Sequence, residues 1–112
     1  MSVRLDKIST LLQHELAIIF QRESRNLFEG AFITVTKVRI TPDLSYAKVY
    51  LSFFTQGDKA PLLKMVQVQT NQVKRILGNT VGKQLRKIPD LTFFIDDSLD
   101  YAEEIDKLLK DN

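Results

Sequence analysis

The chain has 112 residues, of which 44% are hydrophobic and 27% charged, with a net charge of +2 and no cysteine. This length suits one domain with a real hydrophobic core, spanning residues 1–112, and is too short for two. The lack of cysteine excludes disulfides, thiolate zinc sites and a cysteine nucleophile. No apolar run approaches the roughly 18 residues of a membrane span, and charges interrupt the start of the chain, unlike in a signal peptide. We therefore expect a soluble, cytoplasmic protein with no membrane partner.

The charges are distributed unevenly along the chain. Residues 1–87 hold fourteen Lys or Arg and six Asp or Glu, a balance of +8, whereas residues 88–112 hold two and eight, a balance of −6. This separation predicts a positive face for a polyanion and an acidic end held away from it. An acidic terminal helix that only keeps the protein soluble is equally compatible with the numbers.

A first helix is predicted over residues 4–23. Its apolar residues step by three and four positions: Leu5, Ile8, Leu12, Leu16 and Ile19. His14, the single histidine, has no second ligand or nucleophile nearby in this pattern. We interpret it as a structural histidine at or near the surface.

Two strands are predicted next, over residues 32–40 and 46–54, joined by a turn at 41–43 into an antiparallel hairpin. The apolar phase of the first strand shifts between Val35 and Val38, which indicates either a bulge or partial cover on both faces. In the second strand, Tyr46, Lys48 and Tyr50 share one face. Base stacking is one reading of these aromatics, and packing under a helix or along an edge is the commoner one.

The segment 64–87 carries six cations and no Asp or Glu: Lys64, Lys74, Arg75, Lys83, Arg86 and Lys87. Its apolar residues recur at helical spacing, and Gly78 and Gly82 interrupt them, so we expect two helices with a bend, ending before Pro89. Such a pair is suited to holding a phosphate backbone. A basic face that is merely solvated fits the charges about as well.

The remainder predicts an apolar strand over 91–95, central or well covered in the sheet, then capping residues at 96–98 and a short C-terminal helix. The resulting fold class is α+β, with the order α-β-β-α-α-β in two layers. The three-stranded sheet has helices on one side.

This order resembles the type II KH domain, and the sequence more closely resembles the ribosome-binding factor A family. Five stretches carry the resemblance: 8–19, which contains LQHELA, 33–38 (ITVTKV), 41–50 (TPDLSYAKVY), 74–78 (KRILG) and 85–93 (LRKIPDLTF). The family's helix–kink–helix usually carries Ala-x-Gly instead of the Gly-x-x-Gly of KH domains. Here residues 69–71 read Gln-Thr-Asn, so the kink is expected either at Asn71 or at Gly78.

The resemblance implies a monomeric, KH-like RNA-binding protein that is not an enzyme and needs no cofactor. It would bind free small (30S) ribosomal subunits and assist late maturation and 5′-end processing of 16S rRNA, an activity linked to growth in the cold. The residues predicted to contact phosphates are the six cations of 64–87, with Lys37 and Arg39 as weaker candidates. Asp96, Asp97 and Asp100 are better explained as capping residues than as a metal site.

The alternative function is a protein-interaction module whose basic face binds an acidic partner protein. Salt dependence alone does not separate the two functions, because both are electrostatic.

Overall fold

The computed structural model describes residues 3–85 and 87–96, with side chains from residue 5 onward. Along the chain lie α1 (Val3–Arg22), α2 (Ser24–Leu27), β1 (Ile33–Ile40), β2 (Tyr46–Phe53), α3 (Ala60–Val68), α4 (Thr70–Val81) and β3 (Asp90–Ile95). The prediction of an α+β fold with a three-stranded sheet is confirmed. The predicted C-terminal helix, and residues 97 and 98 of its cap, lie outside the described residues.

The sheet has the strand order β1-β2-β3. β1 and β2 form the predicted antiparallel hairpin, and β3 pairs with β2 in parallel. The prediction that the last strand is central or well covered is wrong within the described residues, because β2 is the central strand and β3 lies at an edge. The mostly apolar run 91–95 alternates between the two faces of the sheet: Leu91 and Phe93 are buried, whereas Thr92 and Phe94 face outward.

A β-bulge at Thr36 explains the shift of phase in β1. Val35 pairs with Leu51 and Lys37 with Tyr50, so Thr36 is the extra residue. Its hydroxyl contacts the Tyr50 carbonyl at 3.2 Å. Because a bulge absorbs one residue, Val38 returns to the buried face on which Val35 lies.

The helices cover one face of the sheet and form the core with it. α1 packs on β1 and on α4, while α3 and α4 pack on β3. The stripe predicted for α1 is buried at Ile8, Leu12, Leu16 and Ile19. Phe20, at the end of this stripe, stacks on Phe28 at 4.9 Å between ring centroids. His14 is exposed, as expected for a structural surface histidine.

The second helical region is shorter than predicted. α4 ends at Val81, and the Gly82 N–H donates to the Gly78 carbonyl at 2.8 Å as the chain leaves the helix. The prediction that helix continues to Pro89 is therefore wrong. Glycine lowers helix propensity by about 1 kcal/mol relative to alanine, so Gly82 suits a helix end. Pro89 is buried just before β3 and terminates no helix.

Candidate nucleic-acid interface

The two basic helices are separated at Gln69. This residue ends α3 and begins α4 with φ −93° and ψ 11°, and its N–H donates to the Val66 carbonyl at 2.9 Å. The Thr70 hydroxyl donates to the Gln67 carbonyl at 2.7 Å, which satisfies a backbone acceptor that the ending helix leaves open. Gly78 lies inside α4. The break thus falls beside Asn71, in the segment where the resemblance expects it, and not at Gly78.

Three of the predicted phosphate ligands are exposed on this helical region: Lys64 on α3, Arg75 on α4 and Lys83 in the turn after α4. Arg75 lies between Val73 and Leu77 in the sequence, which are both fully buried, so its side chain points away from the core. None of the three cations forms an ion pair with another described residue. Their charge is available to an external anion.

Two other predicted ligands are engaged within the protein. The Lys74 ammonium donates to Asp90 at the start of β3, at 2.5 Å. The Lys87 ammonium donates to the Ser45 hydroxyl at 3.2 Å. That hydroxyl in turn donates to Asp43 at 2.9 Å. Lys74 thus joins α4 to the start of β3, and Lys87 joins the segment before β3 to the turn before β2. Asp90 compensates the charge of Lys74. Arg86, the remaining cation of the segment, lies outside the described residues.

The electrostatics of Asp43 and Asp90 reflect these contacts. The pKa of Asp43 lies below its usual 3.8, first because the Thr41 hydroxyl donates to it, then because Ser45 donates from its N–H and its hydroxyl. The pKa of Asp90 is also lowered, chiefly by the hydrogen bond from Lys74 and then by the charge of that lysine. Both aspartates are therefore ionised at neutral pH, and Asp90 keeps Lys74 paired.

The weaker candidates, Lys37 and Arg39, lie on a different surface. Both project from β1 on the side of the sheet that the helices leave open. The bulge at Thr36 sets this orientation, because a regular strand would turn Lys37 toward the core. The seven predicted residues that the structure describes thus form no single patch. Those of the helical region and those of β1 lie on opposite sides of the sheet.

Sequence reasoning left several residues of the open face out of the candidate set, among them Lys48, Tyr50 and Phe94. Lys48 pairs across the strands with Arg39, and Phe94 pairs with Tyr50. The alternation of residues 46–54 placed Lys48 beside Tyr50, and this was the usable signal. Phe94 carried no such signal. Its position depends on the register between β2 and β3, and 36 residues that include α3 and α4 separate these two strands in the sequence.

No metal-binding arrangement is found in the described part of the chain. Residues 3–85 and 87–96 contain no group of three His, Asp or Glu side chains placed to hold a metal ion. No helix among them is long and apolar enough to cross a membrane. What the geometry provides is exposed positive charge, a broken helix pair and aromatic rings on an open sheet.

These features define a class: a two-layer α+β domain with a broken basic helix pair over a three-stranded mixed sheet. The crystal structure of ribosome-binding factor A from Thermus thermophilus shares this fold, with a TM-score of 0.69 at 22% identity over 81% of this chain and 94% of that one. A second similar structure is a homology model of the Thermus thermophilus factor fitted into a cryo-EM map of a 30S complex. It gives a TM-score of 0.62 at 27% identity over 80% and 91% of the two chains.

The sequence comparisons identify the family. A family model described as Ribosome-binding factor A matches residues 4–109. The chain is 46% identical to ribosome-binding factor A of Cytophaga hutchinsonii, over 96% of its own length and 81% of the relative's. It is 45% identical to that of Flavobacterium johnsoniae, over 95% and 82%. The chain therefore belongs to the ribosome-binding factor A family.

Proposed function

We propose that this chain binds the free small (30S) ribosomal subunit and assists late maturation of its 16S rRNA, including processing of the 5′ end, without catalysing a reaction. Membership of the ribosome-binding factor A family carries the proposal, and a relative at 27% identity has been fitted into a 30S complex. On this chain's own surface, the exposed Lys64, Arg75 and Lys83 support it, because unpaired cations are what a phosphate backbone attracts.

The fold supports a type II KH-like mode of binding. Apart from the single-turn α2, the element order is α-β-β-α-α-β, and two helices meet at a break beside the basic residues. In KH domains the loop between two helices clamps the nucleic-acid backbone. In this chain the corresponding loop is the Gln69 break, flanked by exposed Gln67, Asn71 and Gln72 side chains that offer hydrogen bonds in place of glycine backbone.

The mechanism is positional. The cations dock the domain on phosphates, and the occupied site stabilises the RNA arrangement that fits it. A ligand shifts an equilibrium only by its differential affinity for the two states, so the protein must bind the maturing arrangement more tightly than the alternatives. No bond is made or broken by the protein in this scheme.

Co-sedimentation with purified free small subunits tests the proposal. We expect the wild-type chain to pellet with the subunit. The helix-pair variant, which carries Lys64→Glu, Arg75→Glu and Lys83→Glu, should remain in the supernatant. The matched control reverses Lys7, Arg22 and Arg25, which are also exposed and lie on α1 and α2. Exposed charge changes usually alter stability by only about 0.5 kcal/mol each, so both variants should fold. Equal binding by the two variants would contradict the helix-pair interface.

Chemical probing of 16S rRNA separates RNA binding from binding to an acidic ribosomal protein. We expect bound wild-type protein to protect a discrete set of rRNA nucleotides, and these protections to vanish with the helix-pair variant. Retained co-sedimentation without any rRNA protection would favour the alternative, in which the basic face binds an acidic partner protein.

The role in maturation is tested in cells that lack the gene. We expect precursor 16S rRNA with an unprocessed 5′ end to accumulate and growth to slow, most strongly at low temperature. The wild-type chain, expressed in the cytoplasm, should restore both processing and growth. The helix-pair variant should restore neither.

Sedimentation of the purified protein is expected to give a monomer.

A further inference from the structure

The face of the sheet opposite the helices is exposed and rich in cations and aromatic rings. In β1 and β2 the side chains that alternate with the buried ones lie on this face, and so do Thr92 and Phe94 of β3. Tyr46 is 58% exposed and Phe94 is 37% exposed. Rings this exposed contribute little to the core, whose described aromatic members Phe20, Phe28, Phe53 and Phe93 lie on the other side.

One row of residues crosses all three strands through an aromatic pair. Lys37 pairs with Tyr50, and Tyr50 pairs with Phe94. The Tyr50 and Phe94 rings stack at 5.5 Å between centroids and 28° between planes. The Lys37 ammonium lies 5.8 Å from the centre of the Tyr50 ring, within the range of a cation–π contact. The row therefore presents a stacked aromatic platform with a positive charge at its end.

The adjacent row places two positive charges directly opposite each other. Arg39 pairs with Lys48, and Lys48 pairs with Thr92. Like charges at directly opposed positions destabilise a strand pair, so this arrangement favours an anion between or above them. Neither cation forms an ion pair with a described residue.

The nearest carboxylates do not neutralise this row. Asp90 is bound to Lys74 at the edge of the sheet. Asp6, at the start of α1, lines a groove of about 600 Å³ together with Lys37 and Arg39 but forms no ion pair with either. Asp96, directly after β3, accepts a hydrogen bond from the Thr36 hydroxyl beside Lys37 but forms no ion pair with Arg39 or Lys48. The positive charge of these two residues is thus left for an external ligand.

From this juxtaposition we infer that the open face of the sheet binds a single-stranded segment of RNA. A base stacks at the Tyr50–Phe94 pair, and the adjoining phosphates lie at Arg39 and Lys48. Aromatic rings interleaved with cations are the means by which proteins hold single strands, and the bases of a duplex are not accessible to such a platform. The inference rests on the proposed function only in taking RNA as the ligand class. The surface is separate from the helix pair, so the two can fail independently.

Binding of a short labelled RNA of about eight nucleotides and mixed sequence, followed by fluorescence anisotropy, tests the inference. We expect Tyr50→Leu to weaken binding by roughly five-fold to a hundred-fold, the range of one base stacked on an aromatic ring. Tyr50→Phe keeps the ring and should bind like the wild type. A duplex of the same sequence should compete poorly.

A charge variant that leaves the aromatic pair intact provides a second measurement. Arg39→Gln with Lys48→Gln should make the slope of log affinity against log salt shallower by about 1.4, which corresponds to two single-strand phosphate contacts. The matched control, Arg22→Gln with Arg25→Gln, removes equal exposed charge from the ends of α1 and α2 and should leave oligonucleotide binding near the wild-type value. Thermal unfolding of each variant establishes that it is folded.

Three outcomes would overturn the inference. The first is wild-type oligonucleotide affinity in both open-face variants. The second is an equal loss in the Arg22 and Arg25 control, which would reduce the effect to the net charge of the protein. The third is a wild-type dimer that Tyr50→Leu dissociates, which would assign the face to a second copy of the chain. Weakened oligonucleotide binding in both open-face variants, with subunit binding retained by the variant reversed at Lys64, Arg75 and Lys83, would support this inference and contradict the helix-pair interface.

Discussion

Lys74 of α4 and Asp90 of β3 form an ion pair, with the ammonium nitrogen 2.5 Å from a carboxylate oxygen. Both side chains are partly exposed, at 36% and 65%, and exposed ion pairs contribute only about 0–1 kcal/mol to stability. The main consequence is electrostatic. A lysine that the sequence places in the middle of an acid-free basic segment is neutralised by a residue outside that segment.

Asp90→Asn is expected to strengthen binding to the small subunit. The substitution removes the carboxylate charge that holds Lys74, so its ammonium becomes available to a phosphate. One added contact should make the dependence of log affinity on log salt steeper by about 0.7 to 0.9. The measurement is a binding titration at several salt concentrations. Lys74→Gln is the control, and its affinity should stay close to the wild-type value, because the lysine it removes is already paired. A large loss in Lys74→Gln would show that Lys74 contacts RNA despite Asp90.

The free energy of unfolding should fall in acid as the Asp43 carboxylate becomes protonated. Its pKa in the folded protein lies below the usual 3.8, so folding favours the ionised form, and this stabilisation is complete above the usual value. It is lost as the pH drops below 3.8 through the lowered pKa of the folded state. We expect Asp43→Asn to be less stable than the wild type at pH 7 and the difference to shrink toward pH 2. Urea unfolding across this range measures it, and a difference that does not vary with pH would contradict the assignment.

The sequence pattern predicted those parts of the fold that local periodicity determines. The stripe of α1 and the hairpin follow from where apolar residues fall along a helix or strand. The phase shift in β1 left a bulge or partial cover on both faces as explanations, and the structure shows the bulge, at Thr36. The end of α4 was misplaced, because the helical spacing of apolar residues continues to the buried Leu85 although the helix stops at Val81. A residue at helical spacing from the preceding apolar residues can therefore be buried without being part of the helix.

The candidate site was less predictable, because it depends on contacts between distant residues. Lys74 and Lys87 looked like free cations, since their partners Asp90 and Ser45 lie on other elements. Gly78 looked like a break, because an interior glycine lowers helix stability. The resemblance offered Asn71 as the alternative, and the break falls two residues before it, at Gln69.

Thr70→Ala tests the break between α3 and α4. The Thr70 hydroxyl donates to the Gln67 carbonyl at 2.7 Å, and losing this bond should destabilise the protein by about 0.5–1.5 kcal/mol. If the break belongs to the RNA-binding surface, subunit binding should weaken as well. Thr80→Ala is the matched control. Its hydroxyl donates to the Ile76 carbonyl at 3.1 Å within α4, where alanine favours the helix, so we expect no loss of stability or binding. Equal effects of the two substitutions would indicate that the Gln69 break has no special role.

Gly78→Ala is expected to stabilise the protein by about 0.4–1 kcal/mol, because alanine reduces the conformational freedom of the unfolded chain. The site accepts it, since Gly78 lies within α4 and an added Cβ would meet only the Ile88 side chain, at an ordinary 3.6 Å. Gly82→Ala supplies the contrast. There the Cβ would lie 2.5 Å from the Gly78 carbonyl oxygen, so the backbone at the end of α4 must shift and stability should fall. Urea unfolding of the two variants gives the comparison, and co-sedimentation with small subunits should show Gly78→Ala binding like the wild type. A destabilised Gly78→Ala protein with weakened subunit binding would place a functional bend inside α4 and contradict the assignment of the break to Gln69.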